Sequence, residues 1–339
     1  MKLTIDDVAR LSGFSRATVS RVIAGSDKVK DSTKQAILDV IRKNNYVASA
    51  MEREKGHKRP VAIIVGDLID TETSFQLFHP RIIKTICQRM SEAGHDCFLY
   101  NSDYNVEKED ECLNRCLDLD VAGIFLLSAT GTSSCLQQVA AKVPVVTINR
   151  DTNTLFTDEV LLDEFKCAYL AVKHLYELGH RNIGLVKEPK QIPLSYETGR
   201  GYQATCSELN LKEHIFQCNG TYEDGYALGR TLLMQKSNIT GLFCVNYDIA
   251  SGIETAYREA GRSVPEDLSI VIFQYVYEEA QKKKSIYTSV GAYNLTDIAN
   301  AAADTMLQRL QETVKTGSRR LSVIMDTYLI PGKSTSKRL

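Results

Sequence analysis

The chain opens with three apolar stripes of helical period. A longer alternation of short apolar runs with helical stretches follows. Ile5, Val8, Ala9 and Ser12 share one helical face, as do Val19, Val22 and Ile23 further on. A third stripe, Ala36, Ile37, Val40 and Ile41, predicts a helix over about 32–44, with Tyr46 closing a small core. Thr4 stands where an N-cap belongs, and Asp7 lies where a carboxylate favours a helix N-terminus. Gly13 can take the positive φ that ends a helix. Only Ser12, Gly13 and Phe14 separate the first helix from the second, whose N-cap is Ser15. That is a tight helix-helix turn. The second helix presents Arg16, Ala17, Ser20 and Arg21 on the face opposite its apolar stripe.

From Pro60 the pattern changes. Strands are predicted at 61–65, 96–100, 121–127, 143–149, 182–186, 241–245 and 268–273. Helices fall near 79–92, 106–118, 133–141, 164–178, 199–208, 224–236 and 248–260. Alternation of this kind gives parallel sheets covered on both faces, with ligand sites at the carboxyl ends of the strands. The expected fold is an N-terminal all-α helix-turn-helix headpiece followed by an α/β core of two doubly wound parallel-sheet lobes with a cleft between them.

Charge is divided unevenly. Of 41 Lys/Arg and 42 Asp/Glu residues, 13 basic and 7 acidic ones lie in 1–59, so the remainder is net acidic. A basic head on an acidic body suggests a polyanion-binding module. Arg bonds guanine through two acceptors, while Ser and Ala permit close approach, so the exposed face of the second helix suits a major groove. Thr4, Ser15 and Lys28 are the expected phosphate anchors. On composition alone, a structural helical bundle with a solvated basic face stays open.

Other chemistry is thin. The nine cysteines include no Cys-x-x-Cys pair and no zinc spacing, so no metal is expected and the thiols read as reduced and mostly buried. Cys112 and Cys116, one turn apart, make no framework by themselves. There is no G-x-S-x-G, P-loop or strand-linked G-x-G-x-x-G, and no cofactor is expected. His174 and His180 read as helix-end and turn residues. No apolar run is long enough to span a membrane, and Asp6 and Asp7 interrupt any secretory leader, so a cytoplasmic protein is expected.

The string TIDDVARLSGFSRATVSRVIAG, followed by VKDSTKQAI and then NY, closely resembles the DNA-binding headpiece of the LacI/GalR repressor family across residues 3–46. The resemblance implies that the second helix enters the major groove, with Ser15, Arg16, Ala17, Ser20 and Arg21 as readers. Ala24 stands where the family usually has Asn, which implies a lost polar contact. Family members continue into a hinge that folds on DNA and wedges a leucine into the minor groove. Here the stretch is YVASAMEREKGHKR, with Lys55 at the wedge position and Glu52 and Glu54 in a segment that should approach phosphates. Proline, common just after the Tyr, is replaced by Ala48, and His57 reads as a solvated linker residue. Two readings stand: Met51 acts as the wedge in a shifted register with Arg53 and Lys55 on phosphate, or the hinge helix does not form as usual and DNA bends less. The substitutions favour the second.

The core segments NSDYNVEKEDECL, DLDVAGIFLL, VPVVTINR, HLYELGHRNIGLV and AYREAGRSVPEDLSIVIF also look like LacI/GalR core, which is similar to the periplasmic sugar-binding fold. The resemblance implies a helix-turn-helix domain at 1–47, a hinge at 48–60 and a core at 61–339. One lobe takes about 61–161 with 291–321, and the other about 162–290 with 322–339. It further implies ligand contacts at Asp163, Tyr222 and Asn246, with Tyr247 where Asp is usual. The expected arginine is Thr198 and the expected aspartate after Phe273 is Gln274. Loss of both removes charge-assisted bonds, so a simple sugar is disfavoured and a less polar or differently charged ligand is expected. The implied protein is a homodimeric regulator, a repressor by resemblance, of double-stranded DNA with a near-palindromic operator. A small-molecule effector shifts its lobes. A cleft that no small molecule controls, or an α/β enzyme fused to a DNA-binding head, are the alternatives.

Overall fold

The computed structural model describes residues 4–23, 26, 28–44, 58–66, 78–127, 134–149, 156–188, 193–274, 286–291, 293–312 and 320–338. The headpiece consists of α1 (Ile5–Ser12), α2 (Arg16–Ile23) and α3 (Asp31–Lys43). Thr4 and Asp7 form a capping box: the Asp7 N–H donates to Thr4 Oγ1 at 3.3 Å, and the Thr4 N–H donates to Asp7 Oδ2 at 2.9 Å. Gly13 closes α1 at φ 75°, its N–H donating to Ala9 O. Val8, Val19, Val22, Ile23 and Ile37 make the buried core, with Leu38, Val40 and Ile41 packed against it. The expected place of Ala36 in that core is corrected, because Ala36 is exposed and Leu38 turns inward instead. Tyr46 lies outside the described residues.

The core has two all-parallel sheets. The first lobe contributes β1 (Val61–Val65), α4 (Phe78–Glu92), β2 (Cys97–Asn101), α5 (Val106–Asp118), β3 (Gly123–Leu127), α6 (Ser134–Ala140), β4 (Val145–Ile148) and β5 (Asp158–Leu162). The second contributes α7 (Glu164–Glu177), β6 (Ile183–Lys187), α8 (Pro193–Glu208), β7 (Ile215–Gln217), α9 (Tyr222–Met234), β8 (Gly241–Cys244), α10 (Tyr247–Glu259), β9 (Ser269–Phe273) and β10 (Thr288–Val290). The chain then returns through α11 (Leu295–Gln311) and β11 (Ser322–Met325). Strand orders are β11-β5-β4-β3-β1-β2 and β10-β9-β8-β6-β7. Both lobes therefore repeat one doubly wound plan, with the order reversing between β1 and β3 and between β6 and β8. Central strands such as VAIIV and GIFLL are buried along their whole length, because helices cover both faces. The edge strands β2 and β11 keep exposed positions.

The chain passes between the lobes three times, at β5 to α7, at β10 to α11, and after β11. Here one expected boundary moves. Residues 322–339 were assigned to the second lobe, yet β11 pairs with β5 from Ser322↔Glu159 to Met325↔Leu162 in the first sheet. Only the residues after it join the second lobe, where Ile330 bridges Ser289 and Arg338 N–H donates to Leu178 O at 2.7 Å. The reason is the ion pairing at the sheet edge. Arg309 on α11 holds the buried Asp158 carboxylate through Nε (2.6 Å) and Nη2 (2.8 Å), and Leu321 N–H donates to the same carboxylate at 2.9 Å. Arg320 pairs with Glu159.

Candidate nucleic-acid interface and ligand cleft

The face of α2 that carries the candidate readers stands clear of the headpiece core. Val19, Val22 and Ile23 are buried, whereas Ser15, Arg16, Ala17 and Arg21 are exposed and Ser20 is half-buried. Ser15 caps the helix: Thr18 N–H donates to its Oγ at 3.2 Å. Arg16 lies 3.6 Å from Asp6 of α1, with both side chains well exposed. An ion pair so open is weakly held and screened by salt, so the guanidinium can exchange this partner for another. Thr4 presents a different picture. Its hydroxyl donates to Asp7 Oδ2 at 2.7 Å, so to meet a phosphate it must give up a bond of the capping box. Those bonds hold the Asp7 carboxyl below its usual range. Lys28 is exposed, its N–H donating to Ser26 Oγ at 3.3 Å. Ala24, Ala48, His57 and the hinge candidates Met51, Arg53 and Lys55 lie outside the described residues.

In a doubly wound sheet the loops diverge where strand order reverses, which leaves a crevice at the carboxyl ends of the two central strands. In the second lobe those strands are β6 and β8, followed by Glu188 immediately after β6 and by Asn246 two residues after β8. The two side chains meet: Asn246 Nδ2 donates to Gly220 O at 2.9 Å and approaches Glu188 Oε1 at 3.4 Å, while its Oδ1 caps α10 by accepting from Ile249 N–H. Asn246 is thus a buried brace for Glu188 and its amide hydrogens are both engaged. Asp163 similarly caps α7, accepting from Lys166 N–H at 2.9 Å. Tyr222 begins α9 and is exposed, leaving its ring open for stacking. Gln274 follows β9, half-buried, with its N–H bonded to Val290 O. Thr198 is buried in the second turn of α8, and its Oγ1 has no hydrogen-bond partner.

Three charged residues were missed by the sequence reading. Lys187 ends β6, Glu188 follows it, and both are buried. The Lys187 ammonium stands beside α8, where a Cβ placed on Gly199 would be 3.1 Å from Nζ. A cation therefore lies one residue from Thr198, and the crevice is not stripped of charge as the two neutral replacements suggested. Glu164, the first residue of α7, is the third: burial pushes its carboxyl up to about 8, reinforced by Glu197 and Asp163. A Lys-Glu pair directly after the apolar run NIGLV was the available signal, since that is the ligand end of a parallel strand. Among the described residues no group of three His, Cys, Asp or Glu stands where it could hold a metal ion. None of the nine cysteines is in a disulfide, and five of them are buried.

Residues 4–49 match the bacterial regulatory proteins of the lacI family, and residues 172–335 match a periplasmic binding protein-like domain. Catabolite control protein A of Priestia megaterium is 30% identical over 280 residues, covering 80% of this chain and 82% of that protein. This chain belongs to the lacI family. Across nearly the full length of both chains (99% of each), the HTH-type transcriptional repressor PurR of Pasteurella multocida strain Pm70 is 28% identical. In architecture the chain is similar to the lac repressor dimer bound to operator and the anti-inducer ONPF, at TM-score 0.69 and 20% identity, covering 99% and 100% of the two chains. The LacI-family chain is accordingly a DNA-binding transcriptional regulator with an effector-type α/β core. No helix among its described residues is long and apolar enough to cross a membrane.

Proposed function

We propose that this chain is a cytoplasmic repressor, without enzymatic activity, that reads one half-site of a near-palindromic operator through Ser15, Arg16, Ala17, Ser20 and Arg21. Thr4 and Lys28 contact phosphate, and a homodimer brings two headpieces to two half-sites. Residues 1–47 are the DNA-binding unit, 48–60 the hinge and the rest the sensing core. The hinge bends DNA weakly, because Lys55 occupies the wedge position between acidic neighbours. The crevice bounded by Asp163, Thr198, Tyr222, Asn246 and Gln274 takes a small molecule that favours one lobe arrangement and so respaces the headpieces.

The observation that carries this reading is the division of α2. One side is sealed by Val19, Val22 and Ile23, while the other presents two exposed arginines and small residues, with Arg16 held by no more than an open ion pair to Asp6. Arg16→Ala and Arg21→Ala test it, with fluorescence anisotropy on a duplex selected from a random library and on random-sequence duplex at one fixed salt concentration. Each is expected to cost about 1–3 kcal/mol on the selected duplex. Random duplex binding should change far less. Equal losses on both duplexes would remove the arginines from base reading.

A further inference from the structure

The cleft end of the second lobe holds two buried polar atoms that nothing among the described residues satisfies. Glu164 Oε1 and Thr198 Oγ1 have no hydrogen-bond partner, and their residues are 5% and 1% exposed. Buried polar groups are paired almost without exception, so two orphans at one place mark a site whose partner comes from outside. Their neighbourhood follows from how α7 and α8 pack. The helices touch so closely at Gly201 that a Cβ there would lie 2.3 Å from Phe165 O, next to Glu164 and one turn from Thr198. Both helices begin at the carboxyl ends of the strands, the end at which the crevice opens.

The charge there is lopsided. Among the described residues Asp163, Glu164, Glu188 and Glu197 stand against one buried cation, Lys187. Arg200 is bound to Glu197 at 2.9 and 3.1 Å, and Lys166 to Asp326 at 2.5 Å. Phe165 and Tyr196, on the same first turns, expose aromatic surface. Acid and aromatic faces together suit an organic cation.

We propose that this crevice binds a small ligand carrying an ammonium or amidinium group, which donates to the Glu164 carboxyl while a neighbouring polar atom of the ligand bonds Thr198 Oγ1. The proposal rests on the reading of the cleft as the effector site and names the chemical class of that effector. Proton balance follows. The groups facing Glu164 are Glu197 from α8, Asp163 and the Cys167 thiol from α7, and the Tyr293 phenol from the segment before α11. The thiol and phenol are both pushed up by burial and stay neutral, so Glu164 is the group that gives its proton to solvent as the cation arrives. Affinity for a permanently protonated amine therefore rises with pH up to about 8, approaching tenfold per pH unit below that.

The test uses the full chain with putrescine, cadaverine and agmatine, whose cations persist at pH 8, set against butanediol and pentanediol as neutral counterparts. Thermal melting identifies binders and titration calorimetry at pH 6.5 and 8 measures them. At least one amine is expected to raise the melting temperature, with binding tighter at the higher pH and weakened at least tenfold by Glu164→Gln. Thr198→Val should weaken binding less and melt no lower than the parent, since its hydroxyl holds nothing. A neutral counterpart that binds as well as its amine, or binding untouched by Glu164→Gln, overturns the cationic ligand and leaves the cleft as a ligand site. Failure of every amine and neutral probe to bind overturns both. A fall in melting temperature for Thr198→Val assigns that hydroxyl to the fold and also overturns the proposal.

Discussion

The headpiece and the core handle charge in opposite ways. In the headpiece the arginines stand in water around a core of five buried aliphatic residues, and Asp6, the partner of Arg16, is as wet as the arginine. In the core, charges are taken inside: Arg309 with Asp158, Lys187 and Glu188 at the end of β6, and Glu164 at the start of α7. The difference reflects what each surface meets. A nucleic-acid surface is recognised by cations that stay solvated until the partner displaces water and counterions. A small ligand in a crevice is recognised by groups already dehydrated, whose bonds are stronger for it and whose mispairing costs more.

If that contrast holds, charge removal should have graded effects. The largest is expected at Arg309→Met, which strands the Asp158 carboxylate among buried groups and leaves the β5–β11 edge without its clamp. Breaking a buried pair in this way costs about 3–5 kcal/mol, and chemical denaturation should show it. An effect of intermediate size should come from acid. His180 bridges Thr240 Oγ1 (2.9 Å) and Ser336 O (3.2 Å), and His174 meets Thr335 Oγ1 (3.1 Å), so both pin the last residues to the second lobe. Burial holds both imidazoles below the usual histidine range, so the unfolded chain takes up protons first. Stability is thus complete above the unfolded value of about 6.5 and falls as pH drops through it, levelling off only below the folded value. Melting curves recorded from about pH 7.5 to about pH 5.5 check this, and His180→Gln should flatten the trend. The smallest effect belongs to Asp6→Asn beside Arg16. Stability should move by less than about 0.5 kcal/mol, while affinity for duplex DNA at low salt should rise slightly.

The same contrast sets what the amino-acid sequence discloses. Periodicity locates the headpiece helices and the central strands to within a few residues, because aliphatic side chains alone decide those cores. Thr4, Asp7 and Gly13 mark the limits of α1 by local chemistry. Only α3 deceives: Ala36 fits the stripe but points outward, and Leu38 takes its place. Harder to read is any element stabilised by a distant charge. The strand DEVLL begins with two acids that look solvent-facing, and their burial depends on arginines some 150 residues later. For the same reason β11 was placed in the other lobe. Asp163, Asn246 and Tyr222 could be located by resemblance, but whether each side chain caps a helix, braces a neighbour or stays open depends on contacts that spacing does not encode. Lys187 and Glu188 pass unremarked along the sequence, and only the strand order puts them at the crevice.

The threefold passage of the chain between the lobes has a consequence for gene-level damage. A stop codon near position 320 would strip an edge strand from one sheet and a bracing tail from the other, so a loss that begins there would injure both halves together. Neither lobe can be excised as a self-sufficient fragment, and early termination even that late should behave as a null allele.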